Sequence, residues 1–258
     1  MDAAAKTKAQ PRFLRWLPYW AVLQTDLRQT LRGWVWRTWV LTTLLAAVGY
    51  MCYRLGVYRE AGIVQHASVY TGDLLRWPLL GTALLVVVLT VGAITSERGT
   101  LADAVLSRGI SRYQYFMAKW HSRLTSVLVT FTGLTGAVLL ASHFLLHEDV
   151  SLDGSLMALA AMAGVLTIVV TTGITAGAMT GSTVLGVSVV WLVLYGAAFG
   201  LSFLPSTYPT PDRVLLNLPK ILQGAYDIDA LTRLIGASFA ASGVLALVGL
   251  IGFARADV

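Results

Sequence analysis

Charge is what this sequence has least of. Asp, Glu, Lys and Arg make up only 12% of its 258 residues, against 56% hydrophobic residues, whereas a soluble domain carries about a quarter charged. Several apolar runs exceed the roughly 18 residues that a bilayer crossing needs. Cysteine is nearly absent too: Cys52 stands alone, which excludes an intrachain disulfide. No G-x-x-x-x-G-K-[ST] segment occurs, so the chain has no phosphate-binding loop, and six spans leave no room for an ATPase domain. There is no H-E-x-x-H and no G-x-S-x-G, and His66, His121, His143 and His147 fall near run ends or in loops without metal-ligand spacing. The middles of the apolar runs hold no Asp, Glu, Lys, Arg or His, groups that proton- and ion-coupled carriers need at depth. These absences predict a polytopic membrane protein that is not itself an enzyme, with no catalytic, cofactor or metal site of its own.

What is present is greasy and well punctuated. A single transmembrane domain over 1–258 is predicted, all-α, with six spans at about 36–54, 74–95, 117–141, 155–180, 183–204 and 231–253. Gly181 and Ser182 divide the fourth from the fifth, because an unbroken helix over 155–204 would be about 75 Å long, far more than a bilayer needs. The basic start MDAAAKTKAQPRFLRW leads into no short apolar core with a cleavage site, unlike a signal peptide.

Orientation follows from the basic residues. With both termini inside, the inner segments 1–37, 96–123 and 254–258 collect thirteen Lys/Arg and the outer segments six. Lys/Arg excess marks the cytoplasmic side, so the expectation is a multi-pass protein of the cytoplasmic (inner) membrane with both termini cytoplasmic. The same placement explains the net charge of +6 by topology, without nucleic acid as a partner. Ahead of the first span, residues 12–34 read as an interfacial elbow helix. Trp16, Trp20, Leu23, Leu27, Leu31 and Trp34 share one face, while Arg12, Arg15, Gln24, Arg28 and Arg32 lie elsewhere around it. Pro18 marks a kink or the true start of this helix.

The segment between the second and third spans, ITSERGTLADAVLSRGISRYQYFMAKW, has more grammar than a slack loop needs. Thr100 with Asp103 fits a helix start, Arg108 suits the negative end of the dipole, and Gly109 stands where a left-handed stop is wanted. Ser111 with Gln114 then makes a capping box, with Ile110 and Tyr115 as a hydrophobic staple. The prediction is a short helix over Leu101 to Arg108, a glycine stop, and a newly capped helix rising into the third span. Leu101 and Val105 line one side of the short helix, facing either the membrane surface or a soluble partner.

Here the sequence resembles a known family. Ser96-Glu97-Arg98-Gly99-Thr100-Leu101, then Leu106-Ser107-Arg108-Gly109-Ile110-Ser111-Arg112 and Lys119, is similar to the coupling-helix region of ABC type-2 permeases, the membrane subunits of ATP-driven exporters. The layout of six spans, the elbow helix and the basic end Phe253-Ala254-Arg255 are similar as well. Gly109 stands where the family commonly has proline, and both residues end a helix. The resemblance implies that 96–116 is a cytoplasmic coupling region whose Thr100–Arg108 helix docks on a cytoplasmic ABC ATPase subunit. It places Glu97, Arg98 and Gly99 at the hinge, with Leu101 and Val105 in the docked helix and Gly109, Ser111 and Arg112 in the turn beyond. ATP and Mg would be bound by that partner, and a second permease copy would complete the transporter within membrane lipid.

Two further features stand on the residues themselves. Gly173, Gly177 and Gly181 form a small-xxx-small ladder beside Thr167, Thr171 and Thr175, and Gly196 and Gly200 repeat the spacing. Small residues let helices approach closely, so the ladder predicts tight packing, with a translocation path along the threonines as the other reading. Residues 205–230 are proline-punctuated with apolar clusters, reading as an external loop of one or two short interfacial helices, which the resemblance makes an external gate. Apart from the resemblance, the residues fit an exporter permease, a permease that serves assembly or maturation of an extracytoplasmic protein, or a membrane scaffold or sensor that transports nothing.

Overall fold

The computed structural model describes residues 16–64, 66–97, 110–146, 149–205, 208 and 210–255, with 77–81 described as backbone only. Nine helices lie among them: α1 (Leu17–Arg32), α2 (Trp34–Ala61), α3 (Ala67–Thr95), α4 (Arg112–Leu145), α5 (Leu152–Met179), α6 (Thr183–Ser202), α7 (Pro211–Leu216), α8 (Leu218–Leu222) and α9 (Ile228–Arg255). Their ends follow local chemistry. Pro18 sits in the first turn of α1, where its missing N–H is no loss. Gly62, at φ 66°, supplies the left-handed residue that ends α2. Ser111 and Gln114 form a reciprocal capping box at the start of α4, and the Ser151 and Ser182 hydroxyls cap α5 and α6. The chain between α5 and α6 turns through Thr180, Gly181 and Ser182, so two helices replace one overlong helix.

Five helices, α2, α4, α5, α6 and α9, are long and apolar enough to cross a membrane, which makes this an all-helical, multi-pass membrane protein. The predicted second span, 74–95, lies within α3, a helix of 29 residues. Its fully described apolar part is Thr82–Thr95.

α5 is the hub, the most buried of the five. Its Val170, Ile174 and Ala178 are fully enclosed, and glycines set how closely its neighbours approach. A Cβ at Gly177 would lie 2.6 Å from the Val91 carbonyl oxygen, and one at Gly173 would run into Thr90, so these two residues seat α5 directly on α3. On another side Gly249 of α9 leaves room for Thr175 and Phe116, which a Cβ would meet at 2.7 and 2.9 Å. Gly181 has nothing within 4 Å of its would-be Cβ; it serves the turn and takes no part in the ladder. Gly196 and Gly200 are likewise open, on the exposed helix α6.

α7 and α8 form the two short helices of 205–230, each opened by a proline. α8 fits into glycine notches: a Cβ at Gly72 would meet Pro219 at 2.8 Å, and one at Gly154 would meet the Leu222 carbonyl oxygen at 2.7 Å. α1 lies against α4. Trp16, Trp20, Leu31 and Trp34 remain exposed, as an interfacial aromatic stripe should, and the buried residues of α1 are Asp26 and Thr30. The elbow therefore has three faces, aromatic, arginine-bearing, and a narrow polar one turned to the protein.

Candidate functional site

That polar face meets a second one on α4. Tyr115, Lys119 and Arg123 are spaced i, i+4, i+8 along α4, and Asp26 and Thr30 are spaced i, i+4 along α1, so each set forms one stripe. Lys119 Nζ lies 2.6 Å from Asp26 Oδ1 and 2.6 Å from Glu97 Oε1. Glu97 stands just past the end of α3, and its Oε2 accepts the Tyr115 hydroxyl at 2.5 Å. Arg123 reaches Asp26 Oδ1 at 3.2 Å and donates to Thr30 Oγ1, whose own hydroxyl donates to the Asp26 carbonyl at 2.7 Å. Two acids and two bases thus neutralise one another where α1, α3 and α4 converge. The side chains of Asp26 and Lys119 are only 2% and 3% exposed, so the centre of the network is buried, with Glu97 at its partly exposed rim.

Among the described residues the network is incompletely satisfied. Asp26 Oδ2, Arg123 Nε and the neighbouring Ser122 hydroxyl are buried without a hydrogen-bond partner among the described residues. A buried network with unmet groups is less stable than a well-packed apolar contact. An aromatic layer seals it below: Tyr115 stacks on Phe253 of α9 at 5.9 Å, Phe116 touches the same ring, and Ile110 packs in the same cluster. Arg112 donates to the Ala254 carbonyl at 3.1 Å, so the start of α4 also holds the end of α9.

Of the sequence-predicted coupling residues, Glu97, Ser111 and Arg112 are brought to this junction. Arg98, Gly99, Thr100, Leu101, Val105, Arg108 and Gly109 lie outside the described residues. Sequence reasoning does not place Asp26, Thr30, Tyr115, Lys119 and Arg123 in one site: it reads Tyr115 as part of a hydrophobic staple, Lys119 as part of the resemblance and a topology charge, and Arg123 as a topology charge only. One signal was available. Asp26 is the sole acid in 12–34, and an acid in a basic, aromatic interfacial helix contributes nothing to the positive-inside bias.

The threonine stripe lies inside the fold. Thr171 accepts the Trp120 indole N–H at 3.0 Å, Thr175 donates to the Leu245 carbonyl at 3.0 Å, and Thr167 donates to the Ala163 carbonyl at 2.7 Å. All three are buried; Thr171 and Thr175 join α5 to α4 and α9, while the Thr167 bond stays within α5.

At the opposite end of the bundle a second polar cluster fastens α8. Asp149 Oδ1 accepts the Ser68 N–H at 2.8 Å, and Oδ2 accepts the Ser68 hydroxyl at 2.5 Å and the Gln223 amide at 3.0 Å. His66 Nδ1 lies 3.4 Å away. Burial opposes ionisation of Asp149, but these donors and His66 outweigh it and hold the carboxyl below its ordinary range. Ser151 N–H adds a 2.8 Å bond to the Leu222 carbonyl. No three His, Cys, Asp or Glu side chains converge as a metal site among the described residues.

A scan against protein-family models finds no match, and a search of curated proteins finds none either.

Proposed function

We propose that the chain is the membrane subunit of an ATP-driven exporter of the ABC type-2 kind, moving a substrate with energy from a separate cytoplasmic ATPase. The observation that supports this reading most directly is the buried ion network of Asp26, Glu97, Lys119 and Arg123. It ties the elbow helix, the end of α3 and the start of α4 into one unit on the two flanks of 98–109, the segment with the coupling-helix resemblance. In this reading α3 also crosses the membrane, as the second of six spans, both termini are cytoplasmic, and two permease copies work with two ATPase subunits.

The mechanism follows from the linkage. A push on 98–109 reaches Glu97 from one side and Ser111 and Arg112 from the other. Lys119 bridges Glu97 to Asp26, so α1, α3 and α4 shift together. Asp26 Oδ2 and Arg123 Nε lack partners among the described residues, and an incompletely paired polar junction suits an element with two arrangements of similar energy. ATP and substrate then bias the same two-state element from different sites.

The test is co-expression and purification of the full chain with candidate cytoplasmic ABC ATPase subunits. Stimulated ATP turnover by the pair supports the reading, and turnover that Leu101→Asp with Val105→Asp abolishes supports docking at 98–109. The double variant Asp26→Leu/Arg123→Leu should still assemble but lose stimulation. An ATPase that neither co-purifies nor responds sinks the proposal; one that binds without any change in turnover points to a scaffold.

A further inference from the structure

α2 leaves the bundle along one side and opens a long apolar groove toward α4. At one end Trp36 donates to Thr130 of α4 at 3.1 Å, and Trp39 donates to Thr82 of α3 at 3.2 Å. At the other, the Tyr70 hydroxyl donates to the Ala47 carbonyl at 2.9 Å, and Tyr50 and Arg54 both reach Asp73, at 2.7 and 2.8 Å. Between these fastenings lies a cavity of about 360 Å³, in the range of roughly 300–1,000 Å³ typical of small-molecule sites. Thr43, Val48, Cys52 and Leu55 form one wall, Phe131, Leu134 and Val138 the other, and Tyr70 and Leu74 the floor. Ala47, Ala137 and Ala141 also line it, and their small side chains keep it open.

Its shape and charge identify an occupant. The α2 wall runs from Trp39 to Leu55, about 24 Å at 1.5 Å per residue, long enough for a chain that crosses one leaflet of roughly 15 Å, half the bilayer core. The lining is apolar along this whole length, which suits hydrocarbon and offers a compact polar solute almost nothing. Arg59 follows Leu55 by one turn on the same helix face and is exposed. Its neighbours on that face, Leu55, Gly56, Gly62 and Ile63, carry no charge, whereas Arg54 is engaged by Asp73. A phosphate at the groove's polar end therefore meets Arg59.

We propose that the groove between α2, α3 and α4 holds one acyl chain of a phospholipid, with the lipid phosphate on Arg59. The site is independent of the transport reading, because it requires only a membrane-embedded chain.

Cys52, the one cysteine of the sequence, lines this groove and is exposed, so its alkylation reports occupancy. The full chain is stripped of lipid in detergent and supplied with palmitoyl-oleoyl-phosphatidylglycerol or with uncharged dioleoylglycerol. Retained lipid is read by native mass spectrometry and Cys52 by its rate with N-ethylmaleimide. Phosphatidylglycerol at about ten times its Kd should slow alkylation about tenfold and leave one lipid on the protein. Ala137→Trp, at an exposed groove position, should abolish both effects, as should Thr43→Phe from the opposite wall. Arg59→Gln should remove the preference for phosphatidylglycerol over dioleoylglycerol. An unchanged Cys52 rate, or equal lipid retention by folded Ala137→Trp and Thr43→Phe variants, overturns the site. Undiminished preference in Arg59→Gln overturns the assignment of the phosphate.

Discussion

Asp26 is the residue on which the junction turns. Removing one partner of a buried pair leaves the other charged and undersatisfied, at a cost of about 3–5 kcal/mol. Asp26→Ala should therefore lower the melting temperature in detergent sharply. Asp26→Leu with Arg123→Leu removes both partners together, so it should lose much less than the sum of the Asp26→Leu and Arg123→Leu single variants, a non-additivity that this double-mutant cycle reads directly. Additive losses in the cycle would mean the two side chains are not coupled. Asp149 is expected to show its contribution through pH. Its folded pKa is depressed, so its stabilisation is full above the unfolded carboxyl value of about 3.9 and is lost as pH falls through the lower folded value. The stability difference between wild type and Asp149→Ala should accordingly shrink in acid as pH falls below about 4; a difference that persists undiminished there would assign the stabilisation to another group.

Among the elements, α5 and α6 use the same small-xxx-small spacing to opposite effect. Gly177→Ala puts a methyl group against the Val91 carbonyl, so α3 and α5 must separate and thermal stability should fall. Gly200→Ala meets nothing and improves helix propensity by up to about 1 kcal/mol, so stability should hold or rise slightly. Equal melting shifts for the two would contradict the packing described for α5. The start of α4 carries its own expectation. Ser111→Ala removes the hydroxyl that accepts the Gln114 N–H at 3.2 Å, a loss of about 1 kcal/mol, visible as faster amide exchange in the first turn of α4.

For the whole molecule, the proposed topology sets both termini on one side of the membrane and Asp149 on the other. Reporter fusions at each terminus should both read cytoplasmic, and a cysteine at 149 in a Cys52→Ser background should react from the far side. Opposite sides for the two termini would remove one span, and α3 would be the one to reconsider. Hydropathy and punctuation made most of this architecture legible, since a bilayer demands about 20 apolar residues per crossing and prolines, glycines and capping serines mark where each helix must stop. The Ser111 box, the turn at Gly181 and the two short helices after Pro205 all follow from such local rules. What sequence alone could not rank was which small residues pack and which lie open, because Gly177 and Gly200 have the same spacing and differ only in what stands opposite. The same limit hid the site. Asp26 and Lys119 are 93 residues apart, and only the seating of α1 on α4 turns two apparent interface charges into a buried pair. Local chemistry determined the helices and their ends; long-range packing decided which polar groups lost their water, and with it where the junction and the groove lie.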